Sequence, residues 1–133
     1  MSSTMTKITI HADYADAPKR QLLRDLNIAF ANADVEAILA FFTEDIHWHI
    51  IGENEMRGKA AVRQALEAMQ GVVTREFVIH SIITQGREGA INGLIITEEG
   101  GQYAFCDVCQ FDSPAGKRIQ SMMSYTLEIK SED

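Results

Sequence analysis

One stretch near the C-terminal end constrains the fold more than any other. Residues Tyr103–Phe111 form a run of aromatic and small apolar residues between Gly100-Gly101 and Asp112-Ser113-Pro114. Such a run between turn-forming residues predicts a long, buried β-strand. Successive side chains of a strand point to opposite faces. One face therefore carries Tyr103, Phe105, Asp107, Cys109 and Phe111.

Asp107 thus lies in the middle of an otherwise apolar face. Burying an ionised carboxylate is costly, so a buried Asp107 must be paired, hydrogen-bonded or protonated through a raised pKa. Alternatively, the opposite face of the strand forms the core and Asp107 meets solvent. Because Phe105 and Phe111 flank the acid on its own side, we expect Asp107 to face a pocket.

The composition is that of one ordinary globular domain. A chain of 133 residues with 46% hydrophobic and 23% charged residues can bury a core without disulfides or metals. We expect residues 1–17 to be a flexible lead-in and residues 18–133 to form a single domain. The net charge is −7, from 19 acidic and 12 basic residues. With no basic run, nucleic acid and membrane surfaces are not expected partners.

The two cysteines predict a reducing environment. Cys106 and Cys109 are three residues apart on the predicted strand, so they point to opposite faces and cannot easily bridge or share a metal. No apolar run approaches the roughly 18 residues of a membrane span. Met1–Thr6 lacks the apolar core of a signal peptide. Together these features predict a cytoplasmic protein.

The first half of the chain predicts helices. Asp16 and Asp34 are suited to cap two helices, and Pro18 suits a first helical turn. Apolar residues recur at helical spacing over Pro18–Asn32, Asp34–Phe42 and Lys59–Met69. A short strand at Ile46–Ile51 and a polar loop at Glu53–Arg57 separate the last two helices. Weak alternation at Lys7–His11 allows one further short strand.

The second half predicts strands alone. Four β-rich runs are separated by glycine-bearing turns and indicate an antiparallel meander: Arg75–Gln85, Ala90–Glu98, Gln102–Asp112 and Arg118–Ile129. Helices followed by strands predict an α+β fold with the helices on one face of the sheet. Leu94, Ile95 and Ile96 make one strand apolar on both faces. The outer face of the sheet is therefore a predicted homodimer interface.

Two histidines form a second group of interest. His47 and His49 share one face of the short strand, while Trp48 points the other way. A zinc site would need a third ligand, such as Asp107 or His80, and no spacing supports one, so we predict no metal. His47 is expected at the rim or surface. His49, deeper in the strand, is the better pocket residue.

Several short motifs point to a known family. They are Asp34–Ile38, Glu44-Asp45, Trp48–Gly52, Arg57–Lys59, Cys106–Val108, Phe111-Asp112, Gly116, Arg118–Gln120 and Tyr125. Together they resemble the nuclear transport factor 2-like superfamily, most closely its ketosteroid isomerase and SnoaL-like polyketide cyclase branch. The resemblance covers about Arg20 to Ile129. It implies a curved antiparallel β-sheet wrapped around N-terminal helices, a cystatin-like cone with an internal pocket.

The resemblance also implies roles for particular residues. Asp107 falls where the isomerases carry the protonated acid of their oxyanion hole, and His49 where they carry the carboxylate base. The helix-one tyrosine of the isomerases is replaced by Leu26. The limonene-epoxide hydrolases use an arginine two residues before the strand aspartate, where this chain has Phe105.

We therefore predict His49 and Asp107 as catalytic residues, with His49 as base and Asp107 as donor, or with the charges inverted between them. The substrate-binding residues predicted around them are Leu26, Phe30, Trp48 or Ile51, Ile91, Ile95, Tyr103, Phe105, Met122 and Ser124. This lining suits a small hydrophobic carbonyl compound. The predicted chemistry is a cofactor-independent isomerase, cyclase or dehydratase-like proton transfer. The alternatives are a non-catalytic carrier or sensor and a purely structural or interaction dimer, both favoured if His49 and Asp107 do not share one cavity.

Overall fold

The structure is a computed structural model that describes residues 6–12 and 17–130. Within these residues the chain forms three helices and seven strands. In chain order they are β1 (Lys7–Ile10), α1 (Pro18–Ala31), α2 (Val35–Ala40), β2 (Phe42–Ile50), β3 (Glu55–Arg57), α3 (Lys59–Ala68), β4 (Thr74–Gln85), β5 (Glu88–Thr97), β6 (Gln102–Phe111) and β7 (Ile119–Ile129). The predicted α+β class is confirmed. The predicted cap Asp16 lies outside the described residues, and the N-cap position of α1 is Ala17, with no side-chain capping hydrogen bond.

All seven described strands belong to one mixed sheet in the order β1-β4-β5-β6-β7-β2-β3. The predicted meander is confirmed, because β4, β5, β6 and β7 pair antiparallel with their chain neighbours. Two further pairs are parallel: β1 lies beside β4, and β2 lies beside β7. The sheet is therefore not purely antiparallel. The loop predicted at Glu53–Arg57 is wrong in part, because Glu55–Arg57 pairs with β2 as strand β3.

The helices begin where the sequence predicts. Pro18 occupies the first turn of α1, and the Asp34 side chain accepts a hydrogen bond from the Ala37 backbone N–H at 3.1 Å, capping α2. The predicted extension of α2 to Phe42 is wrong. Phe42 is fully buried as the first residue of β2, paired with Ile119 of β7. Sheet pairing and burial here override helical periodicity.

The helices cover one face of the sheet, which we call the inner face. Leu23 and Leu26 of α1, Ile38 of α2 and Val62 of α3 are fully or almost fully buried. The opposite, outer face carries exposed apolar side chains, described below. Within the described residues, none of the helices has the length and apolar character needed to cross a membrane. A cytoplasmic location stays a prediction.

Alternation along β6 agrees with the expected faces. Phe105, Asp107, Cys109 and Phe111 are buried on the inner side, and the two cysteines are free. The alternative in which Asp107 meets solvent is therefore wrong. An acid side chain stands inside the apolar layer between sheet and helices.

Candidate functional site

A cavity of two adjoining compartments lies between the helices and the inner face of the sheet. The first, which we call the Asp107 compartment, has a volume of about 260 Å³. The second, the Tyr103 compartment, has a volume of about 290 Å³. Both are bounded by a shared set of side chains, namely Phe30, Met69, Thr74, Ile95 and Thr126. Together the compartments fall within the range of roughly 300–1,000 Å³ that is usual for small-molecule sites.

Asp107 lies in the wall of the first compartment. It is 8% exposed and sits on β6 directly between Ile91 of β5 and Ser124 of β7. Burial raises the pKa of Asp107 to about 6, although a hydrogen bond from Ser124 acts to lower it. Desolvation dominates because the neighbouring side chains Phe105 and Ile91 are apolar. The carboxyl group can therefore change protonation state close to neutral pH.

Trp48 and Ser124 form a chain of hydrogen bonds to the Asp107 carboxyl group. The Trp48 indole Nε1–H donates to Ser124 Oγ at 2.8 Å. Because a hydroxyl group has one proton, the Ser124 proton remains available to the Asp107 carboxylate. The two side chains hold a hydrogen-bonded chain that ends on Asp107 and is buried from solvent.

Asn27 adds a polar group that the sequence analysis missed. It lies on α1, is 1% exposed and lines the Asp107 compartment. Its Nδ2 donates to the Leu23 carbonyl oxygen at 2.8 Å. The amide group has a second N–H and a carbonyl oxygen that a ligand can use. The available signal was a polar residue four positions after Leu23, inside the apolar stripe of α1.

Glu53 is a second carboxylate at the cavity and was also missed. It is exposed and lines the Asp107 compartment from the turn that follows β2. Gly52 has a φ of 83°, and the Glu53 backbone N–H donates to the Ile50 carbonyl oxygen at 3.0 Å. The tight turn thereby presents the Glu53 side chain at the solvent end of the compartment.

The structure places His49 away from Asp107. His49 is half-buried and lines a separate groove on the outer face with Val108 and Met123. The inward positions of β2 belong to Trp48 and Ile50. The prediction that His49 and Asp107 line one pocket is wrong, because Ile46, Trp48 and Ile50 form the apolar side of the strand and burial selects that side.

His47 shares the outer face with His49. It pairs through Nε2 with Glu55, which also contacts Arg57 at 3.2 Å. This is an exposed polar cluster at the sheet edge. Among the residues that the structure describes, no three histidine, cysteine, aspartate or glutamate side chains come together as a metal site.

The predicted lining residues divide into two groups. Six of them bound the cavity, namely Phe30, Trp48, Ile95, Tyr103, Phe105 and Ser124. Leu26, Ile91 and Met122 do not, because each is 1% exposed and packed within the core. Ile51 is 38% exposed and points outward, so Ile50 lines the cavity in its place.

The remaining lining residues come from parts of the chain far apart in sequence. In the Asp107 compartment they are Met69, Thr74, Phe77 and Thr126. The Tyr103 compartment adds residues of α2, α3 and β5 and of the loops that follow α1 and α3, namely Ala33, Val35, Ile38, Leu66, Val72 and Thr97. Most of this surface is apolar. Threonine hydroxyls supply the few polar points besides Asn27, Ser124, Tyr103 and the two acids.

Comparison with known proteins identifies relatives of this architecture. The family model described as a SnoaL-like domain matches residues 23–122. Among curated proteins, none matches the chain. An LEH-like epoxide hydrolase from Mycobacterium tuberculosis is 23% identical with a TM-score of 0.69, covering 83% of each chain.

Two further solved structures share the fold at lower identity. A candidate SnoaL-like polyketide cyclase from Shewanella denitrificans is 14% identical with a TM-score of 0.71, covering 84% of this chain and 91% of that one. A candidate ketosteroid isomerase from Kribbella flavida is 10% identical with a TM-score of 0.70, covering 87% and 82%. At such identities the likeness establishes the fold and leaves the activity to be argued from the site.

Proposed function

The chain belongs to the SnoaL-like domain family, and from the chemistry of its cavity we propose that it is a small-molecule enzyme of the isomerase or cyclase type. It moves a proton on a small hydrophobic carbonyl compound without a cofactor. One observation carries the proposal. Asp107 is a buried acid with a pKa of about 6 in the wall of an apolar cavity.

Asp107 is proposed here as the base, the role that the sequence assigned to His49. Because His49 lies on the other face, the base in this cavity is the Asp107 carboxylate itself. With a pKa of about 6, it is mostly ionised near neutral pH yet basic enough to accept a proton. It removes a proton from the carbon beside the substrate carbonyl and then returns that proton to another atom.

Asn27 is suited to the second part of the reaction. Removing the proton moves charge onto the carbonyl oxygen, and this oxyanion needs a neutral donor in a desolvated place. The free amide hydrogen of Asn27 lies in the wall of the same compartment and is fixed by the bond to Leu23. Ser124 is less suited, since its proton serves the Asp107 carboxylate.

The walls favour a hydrophobic compound. Phe30, Trp48, Phe77 and Phe105 surround the acid, and exclusion of water there strengthens the interactions of a bound polar group. The sequence beside Asp107 does not favour opening of an epoxide as the reaction. Phe105 occupies the position two residues before Asp107, where the limonene-epoxide hydrolases carry an arginine.

A second candidate function is a carrier or sensor for a small hydrophobic ligand. It is favoured by the separation of His49 from Asp107, which leaves one buried acid without a histidine partner. A carrier needs the apolar walls and a few hydrogen-bonding groups but no titrating base.

Exchange of the α-hydrogens of a ketone separates the two functions. We expect the protein to accelerate the exchange of 2-tetralone or a related hydrophobic ketone with D₂O, followed by proton NMR. Asp107→Asn should slow the exchange by roughly 100-fold or more, the usual effect of losing a general base. His49→Ala is the control and should retain it. No acceleration across a panel of enolisable ketones, with binding intact, would establish the carrier instead.

A further inference from the structure

The charged groups of the cavity all have the same sign. Glu53 and Asp107 are the carboxylates that line the two compartments. Within the described residues, no lysine, arginine or histidine lines either one. A ligand in this cavity therefore meets acidic groups at the deep end and at the mouth, and no fixed cation anywhere along the walls.

The basic residues closest to Glu53 in sequence are committed to other acids. Arg57 contacts Glu55 at 3.2 Å, and Lys59 contacts Glu44 at 3.3 Å. Glu53 forms no ion pair among the residues that the structure describes. Its negative charge is therefore available to whatever occupies the mouth of the Asp107 compartment.

We propose that Glu53 sets a charge preference at this site: the cavity binds ligands whose outer end is positively charged or neutral more tightly than those with a carboxylate or phosphate there. The inference rests on the proposed function, since it assumes that this cavity is where the ligand binds. It adds to that function a preference for the charge of the ligand group that lies at the mouth of the Asp107 compartment. The apolar walls do not determine this charge.

The size of the effect follows from the position of Glu53. An exposed carboxylate acts through water, so its interaction with a charge a few ångströms away is modest. We expect roughly a 3- to 10-fold change in affinity for a charged ligand when the Glu53 charge is removed. A neutral ligand of the same shape should be almost unaffected.

Three probes with one apolar body test this selection. 2-Naphthylmethylamine is cationic, 2-naphthylmethanol neutral and 2-naphthoate anionic near neutral pH, and calorimetric titration gives the dissociation constant of each. We expect the wild-type protein to bind the amine at least as tightly as the alcohol and the naphthoate more weakly than both. Glu53→Gln should weaken the amine and strengthen the naphthoate by roughly 3- to 10-fold each.

Two further variants sharpen the test. Glu53→Lys should reverse the order, so that the naphthoate binds more tightly than the amine. Asp112→Asn removes one charge from the exposed turn after β6, at the end of that strand opposite Tyr103 and outside the lining of both compartments, and should leave all three constants unchanged. Circular dichroism confirms that each variant is folded.

The alcohol separates failure of this inference from failure of the proposed function. If the alcohol binds but the naphthoate binds equally well, or Glu53→Gln leaves the amine unchanged, selection by Glu53 is refuted and the cavity remains a ligand site. If none of the three probes binds at millimolar concentration, the inference and the binding site on which it rests are both refuted.

Discussion

At the scale of single residues, burial of Asp107 makes a contribution to stability that depends on pH. Its pKa in the folded protein is about 6, above the value of about 3.9 expected for an unfolded chain. Between these two values the folded state binds more protons than the unfolded state. The contribution of Asp107 to the free energy of unfolding therefore falls as pH rises through this window, and burial of this carboxylate costs on the order of 3 kcal/mol near neutral pH.

Replacing this acid with its neutral isostere should stabilise the protein. We expect Asp107→Asn to raise the free energy of unfolding near neutral pH by about 1–3 kcal/mol, because the ionised group no longer has to be buried. The difference from wild type should shrink as pH falls and vanish below about pH 3, where Asp107 is protonated in both the folded and the unfolded state. Urea unfolding at several pH values measures it, and a variant less stable than wild type at neutral pH would show that the carboxylate has a stabilising partner.

The hydrogen bond from Ser124 should be measurable through the same acid. Ser124→Ala removes the group that lowers the pKa of Asp107, so that pKa should rise further. Carbon-detected NMR titration of the carboxyl group reports the change. Ser121→Ala on the same strand is the matched control, since Ser121 points to the outer face and bonds Gln110. An unchanged Asp107 titration in Ser124→Ala would exclude this bond.

At the scale of the strands, Gly93 allows the backbones of β4 and β5 to lie unusually close together. A Cβ at Gly93 would lie 1.8 Å from the Val78 carbonyl oxygen and 2.9 Å from Phe105 Cε1. Phe105 lines the cavity beside Asp107. The absence of a side chain at Gly93 therefore lets β4 and β5 pack tightly and lets Phe105 occupy its place in the wall.

A methyl group at this position should be costly. We expect Gly93→Ala to lower the free energy of unfolding by about 1–3 kcal/mol, because a backbone atom blocks the new Cβ. Gly71→Ala is the control, since nothing lies within 4 Å of its Cβ. Its unfolding free energy should stay within about 0.5 kcal/mol of wild type. Equal stability of both variants would contradict the close approach seen at Gly93.

The strands also show how far the sequence could be read. Alternation on β6 predicted the inward side of Asp107 correctly, because the apolar residues of that strand are unevenly divided between its faces. On β2 the same rule favours Trp48 and Ile50, which do face the cavity. His49 was preferred for its depth in the strand and for its match to the carboxylate base of the isomerases, and this choice assigned the strand the wrong inner face. A shift of one residue is enough to move every side chain to the other face.

Other features, namely two strand pairings and two cavity residues, depend on long-range contacts that local sequence patterns do not predict. The parallel pairing of β2 with β7 joins residues about 75 positions apart, such as Trp48 and Met122. Strand β3 has three residues and exists through its pairing with β2. Asn27 and Glu53 reach the cavity only because α1 and the turn after β2 meet there. Such positions follow from tertiary packing.

At the scale of the whole molecule, the outer face of the sheet exposes apolar side chains to solvent. Ile83, Met123, Tyr125, Leu127 and Ile129 are exposed there, and Leu127 is 73% exposed. Pairing places Leu94, Ala104 and Leu127 side by side across three strands. We propose that a second copy of the chain covers this face, since a contiguous apolar patch on adjacent strands suits a two-fold interface.

A charge on this face should separate the two copies. We expect the wild-type protein to be a dimer at micromolar concentration by light scattering, and Leu127→Glu to be a folded monomer. Val72→Glu is the control, because Val72 is an exposed apolar residue at the cavity and not on the outer face. A monomeric wild-type protein would exclude the homodimer.

The central claim is that the Asp107 compartment, and not the histidine-bearing outer face, is where the ligand binds and reacts. A crystal structure of the protein with 2-tetralone tests it most directly. We expect the ketone in this compartment, with its α-carbon about 3–3.5 Å from the Asp107 carboxylate and its oxygen within hydrogen-bonding distance of the Asn27 amide. A ketone bound instead in the groove beside His49, or in the cavity with its α-carbon turned away from Asp107, would contradict the claim.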